Sequence, residues 1–443
     1  LSINLAHAQQ CLQKLIVGES FFIGIGEGAL YGWGENGDRQ LGIGSTDDQT
    51  SPVFIKDGTW IFVAGSDKHT LAVRSDGTLW ALGSDTYQRL GNGESDDFSF
   101  PTQIGTDTNW KEVAAGERAS LAIKTDGTLW GWGTNNNGYL GNNTTSSFVS
   151  NVPVQIGTDT NWLHIAGNDS LHALAIKSDG TLWGWGKNQN GQLGLGTNVD
   201  VQIPTQIGTA NDWKWIETGN ELSFALKTNH TLWTTGYSSG GGLPIDVSQF
   251  MQVGAASNWR TFSLNKRDTF QYALMTKTDG TLWAWGSDNG EQLGNGAAGN
   301  YAAPAQIGTD TDWADATAGY RQGCAIKNNG SFWTWGDTPM VGTGTGLDNS
   351  PLSVDCEAFL LSVRGHVSTT GDLRFFPNPS DGLFYLNRSE KMTAKIFDAN
   401  GRLLLQTQTS ENQPIDLAGF AAGIYQVQVA APDSTRVLKL VKR

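Results

Sequence analysis

The chain has 443 residues, with 57 Gly, 18 Trp and 16% charged residues, and this composition favours tight turns and an aromatic-packed all-β core over helices. Its length accommodates one large repeat fold together with a small domain, and the absence of any run of 18 apolar residues predicts no transmembrane helix. The formal net charge of −14 is the sum of −16 in residues 1–371 and +2 in residues 372–443; because nucleic-acid binding needs Lys and Arg to displace counterions, no nucleic-acid partner is expected.

Residues 1–8 are predicted to be the remnant of a signal peptide. Ala6-His7-Ala8 fits the small-x-small pattern that precedes a signal-peptidase cut, which places the mature start near Gln9. An ordinary disordered N-terminus is the alternative, because the sequence shows neither a charged start nor a full apolar core. Export would place the protein where disulfides can form.

A five-residue phrase, which opens with Leu or Phe and an aromatic residue and ends in Gly, recurs seven times at intervals of about 50 residues. The copies are Leu30–Gly34, Leu79–Gly83, Leu129–Gly133, Leu182–Gly186, Leu232–Gly236, Leu282–Gly286 and Phe332–Gly336. Self-similarity at such a fixed period indicates a repeat architecture.

Each repeat carries the signals of about four short strands. An Asp-Gly turn, such as Asp126-Gly127, joins an alternating strand to the phrase and predicts a hairpin. An Asn/Gly loop follows, then a Pro-x-x-Ile strand, and then a Trp that leads into a small-residue turn. Four strands per repeat correspond to one β-propeller blade. Trp130 and Trp132 point to one side of the phrase and apolar or small residues to the other, as expected for a blade packed on both faces.

The phrase and the Gly-Gln-Leu-Gly sequence that follows it, as at Gly191–Gly194, resemble the RCC1 repeat family over about residues 11–360. The resemblance implies a seven-bladed RCC1-like β-propeller, which we assign to residues 9–365. Kelch repeats have a similar period, but their Gly-Gly doublet is absent from the equivalent positions. In RCC1-like propellers one surface binds proteins: a small GTPase in nuclear members and β-lactamases in a secreted bacterial member. Neither partner is carried over to this acidic chain.

The closure of the ring is predicted from a strand near the end of the repeats. Ser350–Val354 restarts the Pro-x-x-Ile strand, and we expect it to complete blade 1, which would remove an exposed sheet edge. If the repeat that restarts at Ser350 is aligned with the start of the first repeat, Cys11 and Cys356 lie close together. A disulfide between them is therefore a candidate, with two free thiols as the alternative. Cys324 occupies the slot of Leu121 in its strand and is predicted to be a buried core thiol.

The composition changes past residue 365, and residues 366–443 are predicted to form a small immunoglobulin-like β-sandwich. Four features, at Phe375–Pro379, Asn400–Arg402, Gly423–Tyr425 and Lys439–Arg443, resemble in their order the C-terminal sorting domain of the type IX secretion system of Bacteroidetes. The resemblance implies handling by that machinery and export to the extracellular or outer-membrane surface. An accessory immunoglobulin-like domain is the alternative.

No catalytic residue, metal site or cofactor is predicted. Gly236–Gly240 matches G-x-S-x-G and Gly32–Gly37 matches G-x-G-x-x-G, but no helix follows either, so both are interpreted as blade loops. Asp47-Asp48 and Asp96-Asp97 are interpreted as solvated loop residues rather than as calcium ligands.

The predicted binding site is a ring of residues between the small-residue turn and the next strand of each blade. These residues differ between blades while the scaffold does not, and loops on a rigid scaffold commonly carry recognition. The candidates are Glu19, Asp67, Lys68, His69, Glu117, Arg118, Asp169, His172, Glu221, Arg267, Asp268, Tyr320 and Arg321.

The sequence therefore predicts a monomeric, secreted or cell-surface binding or adhesion module that is not an enzyme and that recognises a protein or a glycan through one face. A secreted hydrolase or lyase with its site in the central pocket is one alternative. Two carboxylates converging on the axis, such as Glu117 and Glu221, would favour it. A purely structural surface component is the other alternative.

Overall fold

The structure, a computed structural model, describes residues 12–18, 20–26, 28–144, 150–167, 171–237, 246–265, 271–296, 299–336, 348–354, 375–376, 383–386, 392–398, 402–410, 413–431 and 434–442. Two compact units divide the chain, Leu1–Val363 and Arg364–Arg443. Residues 1–8, Cys11 and Cys356 lie outside the described residues, so the signal peptide and the disulfide stay predictions.

The first unit contains seven blades, each a four-stranded antiparallel sheet in the described residues. In chain order and four to a blade, the strands are β1 (Lys14–Val17), β2 (Phe21–Gly26), β3 (Ala29–Gly34), β4 (Gln49–Asp57), β5 (Trp60–Gly65), β6 (His69–Arg74), β7 (Leu79–Gly83), β8 (Phe98–Ile104), β9 (Trp110–Ala115), β10 (Ala119–Lys124), β11 (Leu129–Gly133), β12 (Ser150–Ile156), β13 (Trp162–Gly167), β14 (His172–Lys177), β15 (Leu182–Gly186), β16 (Val201–Gln206), β17 (Trp213–Thr218), β18 (Leu222–Lys227), β19 (Leu232–Tyr237), β20 (Asp246–Gln252), β21 (Trp259–Leu264), β22 (Tyr272–Lys277), β23 (Leu282–Gly286), β24 (Tyr301–Ile307), β25 (Trp313–Ala318), β26 (Gln322–Lys327), β27 (Phe332–Gly336) and β28 (Asp348–Val354). The four strands of a blade are called A to D, and strand A lines the centre of the ring. Two short 3-10 helices, Thr86–Gln88 and Asn136–Gly138, lie in the loops after strand C.

The Asp-Gly turn between strands B and C is held by local hydrogen bonds. Oδ1 of Asp126 accepts from the hydroxyl (2.7 Å) and the backbone N–H (3.0 Å) of Thr128, and these bonds lower the pKa of Asp126. The Thr128 hydroxyl accepts from the indole N–H of Trp130 at 2.8 Å. Gly127 has a φ of +78°, and a Cβ there would lie 2.2 Å from the carbonyl oxygen of Thr160, so the turn requires glycine. The recurrent Asp-Gly-Thr-Leu-Trp sequence is therefore one turn motif.

The second aromatic residue of the phrase joins neighbouring blades. Trp132 of blade 3 is fully buried in a cluster with blade 2, and its indole N–H donates to the carbonyl oxygen of Arg89 at 2.7 Å. The indole lies over Gly91, where a Cβ would approach the ring nitrogen to 2.6 Å. This contact explains why the loop between strands C and D of blade 2 has a glycine after Leu90. Trp185 and Trp335 donate to equivalent carbonyl oxygens in the blades before them.

In blades 3 to 7, a lysine at the end of strand B lies against two tryptophans. Nζ of Lys124 is 3.8 Å from the ring centroid of Trp130 and 4.5 Å from that of Trp110. It also lies 2.6 Å from a carboxylate oxygen of Asp107. The equivalent residues are Lys177, Lys227, Lys277 and Lys327. The lysine side chain is thus part of the packed rim of each blade.

Lys124→Ala is expected to lower the free energy of unfolding by about 1–2 kcal/mol, because both the cation–π contact and the packing of the alkyl chain are lost. Asp107→Ala should cost less than about 1 kcal/mol, since the Asp107 side chain is half exposed and its charge is screened by solvent. Urea unfolding followed by far-UV circular dichroism gives both values. Equal losses in the two variants would contradict a dominant role for the tryptophan contacts.

The prediction that Ser350–Val354 completes blade 1 is wrong. Strand β28 pairs with β27 as the outermost strand of blade 7, and blade 1 is formed by β1 to β4. Every repeat supplies all four strands from one contiguous segment, so no strand needs to be exchanged. The first and last blades meet through apolar side chains instead, with the rings of Trp33 and Phe332 5.2 Å apart. Cys324 is fully buried in the same cluster, as predicted.

The second unit contains two sheets in its described residues, in the strand orders β29-β30-β33 and β32-β31-β34-β35. The strands are β29 (Phe375–Phe376), β30 (Leu383–Leu386), β31 (Met392–Phe397), β32 (Leu403–Thr409), β33 (Ile415–Asp416), β34 (Gly423–Ala431) and β35 (Ser434–Lys442). Phe384 and Ile415 from one sheet and Ile396 and Val427 from the other share one apolar core. Strands β31 and β32, which precede and follow Asn400-Gly401 in the chain, pair antiparallel, whereas immunoglobulin-like connectivity stays a prediction.

Candidate binding face and central cavity

The antiparallel order of the strands places the connecting segments on two opposite faces of the propeller. In each blade the A–B turn and the C–D loop leave from one face, whereas the B–C turn and the connection to the next blade leave from the other. We call the first the loop face. In blade 3 its described residues are 116–118 and 134–144, and the Asp126-Gly127 turn lies on the opposite face.

On the loop face, A–B turns contact the C–D loop of the preceding blade. Nζ of Lys68, in blade 2, lies 3.6 Å from a carboxylate oxygen of Asp38 in blade 1. Nζ of Lys187, in blade 4, lies 3.6 Å from Glu221 in blade 5. Turns and loops of neighbouring blades therefore form a continuous surface.

Most of the predicted site residues that are described lie half-buried on this face. They are Asp67, Lys68, Glu117, Arg118, Glu221, Tyr320 and Arg321. Four further candidates lie outside the described residues, namely Glu19, Asp169, Arg267 and Asp268.

His69 and His172 do not present their rings to solvent, and we remove them from the site. Each is the first residue of strand B, where the side chain points between blades, and both are fully buried. Nε2 of His69 is hydrogen-bonded to the Ser120 hydroxyl (3.1 Å), and Nε2 of His172 to the Ser223 hydroxyl (2.9 Å). Burial, reinforced by Lys187, lowers the pKa of His172 to about 3, so its ring is neutral at physiological pH.

Tyrosines that are exposed or half-buried, two of them beside arginines, give the loop face an aromatic character, of which only Tyr320 was predicted from the sequence. The guanidinium of Arg118 lies 4.9 Å from the ring centroid of Tyr87, and that of Arg321 lies 5.3 Å from Tyr320. Tyr87 is 41% exposed, and Tyr237, at the loop-face end of its strand, is 36% exposed. Tyrosine and arginine are the residue types that dominate protein-interface hot spots.

The backbone of Tyr87 marks it as unusual among the repeats. Its φ is +71°, in the left-handed region that bulky residues rarely adopt. Blade 3 has Asn137 with a φ of +55° in the equivalent loop, and asparagine tolerates this conformation. The tyrosine at a position that holds asparagine in blade 3 was therefore the feature of the sequence that could have identified Tyr87 as a candidate site residue. Backbone strain of this kind clusters at functional sites.

Carboxylates crowd the loop face where blades 1 and 2 meet. Burial, followed by repulsion from Asp48, Asp67 and Asp38, raises the pKa of Glu35. Burial also raises the pKa of Asp67, against the opposing effect of Lys68. This part of the face has a negative potential and favours a partner of positive charge.

The inner strands of all seven blades line a central cavity of about 510 Å³. Within it, Nδ1–H of His164 donates to Oε2 of Glu112 at 3.0 Å, and the backbone N–H of Ile165 donates to Oε1 at 2.9 Å. Nζ of Lys14 lies 4.0 Å from the ring centroid of Phe62, and burial lowers the pKa of this lysine. The cavity therefore has both an apolar wall and enclosed charges.

The structure does not pair Glu117 with Glu221. Glu117 lies 3.3 Å from Arg118 and Glu221 lies 3.6 Å from Lys187, so each carboxylate has a cation as its neighbour. The carboxylates that line the cavity are Glu112, Glu217 and Asp315. The slot of Glu112 and Asp315 varies widely between blades, and it holds Lys14 in blade 1 and His164 in blade 4, so the repeat pattern gave no signal for a carboxylate there. Asp315 has surface exposed to the cavity, and desolvation by the surrounding protein raises the pKa of its carboxyl group.

Family comparisons agree with this geometry. The regulator of chromosome condensation (RCC1) repeat matches residues 27–73, 76–123, 126–171, 179–226 and 279–326, which is more than half of the chain. The secretion system C-terminal sorting domain matches residues 374–443. Among the described residues, no helix combines the length and the apolar character needed to cross a membrane.

Individual relatives cover the propeller in part. The ultraviolet-B receptor UVR8 of Arabidopsis thaliana is 27% identical over 245 residues, which are 54% of this chain and 56% of the receptor. The regulator of chromosome condensation of Xenopus laevis is 35% identical over 212 residues, 46% of this chain and 37% of the relative. The chain thus spans about half or less of the length of these relatives.

A solved structure supports the fold. Prp20p from Saccharomyces cerevisiae superimposes with a TM-score of 0.62 at 20% identity, covering 80% of this chain and 90% of the yeast chain. The chain therefore belongs to the RCC1 repeat family, and it carries a C-terminal sorting domain that directs export through the type IX secretion system to the extracellular or outer-membrane surface.

Proposed function

We propose that the protein is a secreted or cell-surface binding module that recognises another protein through the loop face and does not act as an enzyme. The observation that carries this proposal is the pairing of tyrosine with arginine on that face, at the exposed Tyr87 with Arg118 and at the half-buried Tyr320 with Arg321. In this proposal residues 9–365 bind the partner as a monomer. Residues 366–443, as an immunoglobulin-like sandwich, serve sorting.

The loop face has the properties that favour a protein partner. Its A–B turns and C–D loops stand on rigid, buried blades, so little conformational entropy is lost on binding. Half-exposed aromatic side chains bury large area, and arginine beside them adds directional hydrogen bonds. The relatives are also described as binding or regulatory proteins: a receptor, a regulator and, for Prp20p, a protein characterised by its binding to Gsp1p and histones.

The test compares two double variants of the full chain in a capture experiment with surface and secreted fractions of the native organism. Arg118→Ala with Arg321→Ala removes two cations from the loop face. Lys214→Ala with Arg260→Ala removes two exposed cations near the start of strand A, at the opposite end of the propeller. Binding of a captured protein to the first variant is expected to be at least about tenfold weaker, or about 1.4 kcal/mol, with the second variant unchanged.

The outcomes separate the proposal from its alternatives. A captured glycan in place of a protein would change the class of ligand but keep the face. Loss of binding only in the second variant would move the site to the cavity side. Equal retention by both variants would contradict a role for the loop face, and no captured molecule would favour a structural component.

The central cavity carries a second candidate function, that of a secreted hydrolase or lyase. The observation that favours it is that the Glu112–His164 pair and the carboxyl of Asp315 line the same cavity of about 510 Å³. Glycosidase and polysaccharide-lyase activity lost on Asp315→Asn would support this function. Absence of any such activity in the parent protein would count against it.

A further inference from the structure

In blades 1 and 4 the side-chain amide of an asparagine holds the C–D loop closed by hydrogen bonds within that loop. In blade 1, Oδ1 of Asn36 accepts from the backbone N–H of Leu41 at 3.0 Å. Its Nδ2 donates to the carbonyl oxygens of Ser45 (2.9 Å) and Asp47 (3.2 Å), which lie nine and eleven residues further along the chain. Asn188 of blade 4 makes the same three hydrogen bonds at 2.9, 2.8 and 3.2 Å. One amide therefore satisfies two converging carbonyl oxygens.

Blade 2 has Asp85 in the place of this asparagine, in the same setting. Oδ1 of Asp85 accepts from the backbone N–H of Leu90 at 2.8 Å. Its own backbone N–H donates to Oδ1 of Asp97 at 2.8 Å, as the N–H of Asn36 donates to Asp48 at the same distance. These contacts hold the carboxylate in the orientation of the asparagine amide.

The second oxygen of Asp85 then takes the position of the amide nitrogen. Alignment with blades 1 and 4 assigns the carbonyl oxygens nine and eleven residues on to Glu94 and Asp96, and the Asp96 carbonyl also accepts from Nδ2 of Asn92 at 3.3 Å. Asp85 is only 3% exposed, and its Oδ2 is buried with no hydrogen-bond donor among the described residues. In blades 1 and 4 this position holds an amide nitrogen that donates to two carbonyl oxygens, whereas in blade 2 it holds a carboxylate oxygen. Burial raises the pKa of Asp85 to about 6, against the opposing effects of the Leu90 N–H and the Arg89 guanidinium.

Blade 6 also has an aspartate at this position, but there the loop supplies a donor. Oδ1 of Asp288 accepts from the backbone N–H of Leu293 at 3.0 Å, and Oδ2 accepts from the backbone N–H of Gly299 at 3.2 Å. The two aspartates therefore differ in the partner of Oδ2, and the backbone N–H of Asp288 donates to Asn300 where that of Asp85 donates to Asp97. Asp288 provides a matched control for Asp85.

We propose that Oδ2 of Asp85 and the carbonyl oxygens of Glu94 and Asp96 bind a Ca²⁺ ion, which ties the C–D loop of blade 2 in the way that the asparagine amide ties the others. The nitrogen-to-carbonyl distances of 2.8–3.2 Å in blades 1 and 4 give the expected spacing of the three oxygens. Oxygens about 3 Å apart can share a Ca²⁺ ion at about 2.4 Å from each. The exposed surface of the loop leaves the remaining ligand positions to solvent.

The composition of the site sets its affinity. In the described part of the chain, no three His, Cys, Asp or Glu side chains are grouped to hold a metal ion, and this site needs only one carboxylate with two backbone carbonyls. A low ligand charge predicts weak binding, with a Kd of about 10⁻⁴–10⁻³ M, the range of extracellular calcium modules. Tyr87 lies two residues after Asp85, so the ion would order the loop that presents it.

The test is isothermal titration calorimetry, in which CaCl₂ is added to the full chain after removal of metals. It is carried out on the parent and on two variants. Asp85→Asn should lose one Ca²⁺ site, and it should fold because blades 1, 3 and 4 carry Asn36, Asn135 and Asn188 at this position. Asp288→Asn should bind Ca²⁺ as the parent does. Saturating Ca²⁺ should also raise the Tm of the parent and of Asp288→Asn by about 2 °C, but not that of Asp85→Asn.

Two results would overturn the assignment. One is a parent protein that binds no Ca²⁺ at about 10 mM, roughly ten times the weakest Kd expected for such modules. The other is an Asp85→Asn variant with the same Ca²⁺ stoichiometry and Tm response as the parent. Neither result depends on whether the loop face binds a protein, so the two proposals fail separately.

Discussion

Replacing Trp132 by alanine is expected to lower the free energy of unfolding by about 3–5 kcal/mol. The indole fills the space between blades 2 and 3 with none of its surface exposed, and it packs against Trp110 with ring centroids 6.3 Å apart. The variant also leaves the carbonyl oxygen of Arg89 without its indole donor. Because the surrounding strands are hydrogen-bonded within their own sheets, they cannot fully fill the space that the missing indole leaves between the blades.

Trp130→Ala is the matched control for this substitution. The same side chain two residues earlier is half-buried, and its indole donates only to the Thr128 hydroxyl of its own turn. We expect a loss of about 1–2 kcal/mol there, since less apolar area leaves water on folding. Guanidinium unfolding followed by far-UV circular dichroism measures both. A Trp132→Ala loss no greater than that of Trp130→Ala would contradict the interblade role.

The stability of the propeller is expected to fall as the pH decreases below about 6.5, and His172 is a principal cause. Burial lowers the pKa of the folded-state ring to about 3, whereas the unfolded chain takes up a proton near pH 6.5. The unfolded state therefore binds more protons between these values. Above pH 6.5 the ring is neutral in both states, and His172 does not lower the free energy of unfolding. Below pH 6.5, protonation of the unfolded chain lowers the free energy of unfolding by about 1.4 kcal/mol for each pH unit, down to about pH 3.

His172→Gln separates this effect from the titration of carboxyl groups. Gln322 occupies the same strand position in blade 7 and is buried there, so glutamine is compatible with the site. The variant should lose less stability than the parent between pH 6.5 and pH 4, with the slope reduced by about one proton. The measurement is urea unfolding at a series of pH values. Parallel pH profiles for the two proteins would show that His172 does not titrate as proposed.

The blades could be predicted from sequence because the information for them is local and repeated. The Asp-Gly-Thr-Leu-Trp turn is closed by hydrogen bonds within five residues, and the alternation of Trp130 and Trp132 follows from strand geometry. The closure of the ring could not be predicted in this way. Both Gln49–Asp57 and Asp348–Val354 carry the proline strand, and only the pairing of each with its own phrase shows that no strand is shared.

The candidate site was less predictable because it depends on side-chain direction. His69 and His172 stand one residue beyond a turn, where the first position of strand B points between the blades. Glu112 and Asp315 were missed because orientation toward the cavity follows from the ring and not from the repeat pattern. Asp85, by contrast, is visible once the repeats are aligned, as an aspartate where Asn36 stands in blade 1.

Hydrogen exchange of the full chain with its captured partner tests the use of the loop face most directly. The account predicts slower exchange in the A–B turns and C–D loops around residues 84–97, 116–118 and 319–321, with little change in the Asp-Gly turns such as residues 125–128. Protection confined to the Asp-Gly turns, or to the inner strands around the central cavity, would contradict it.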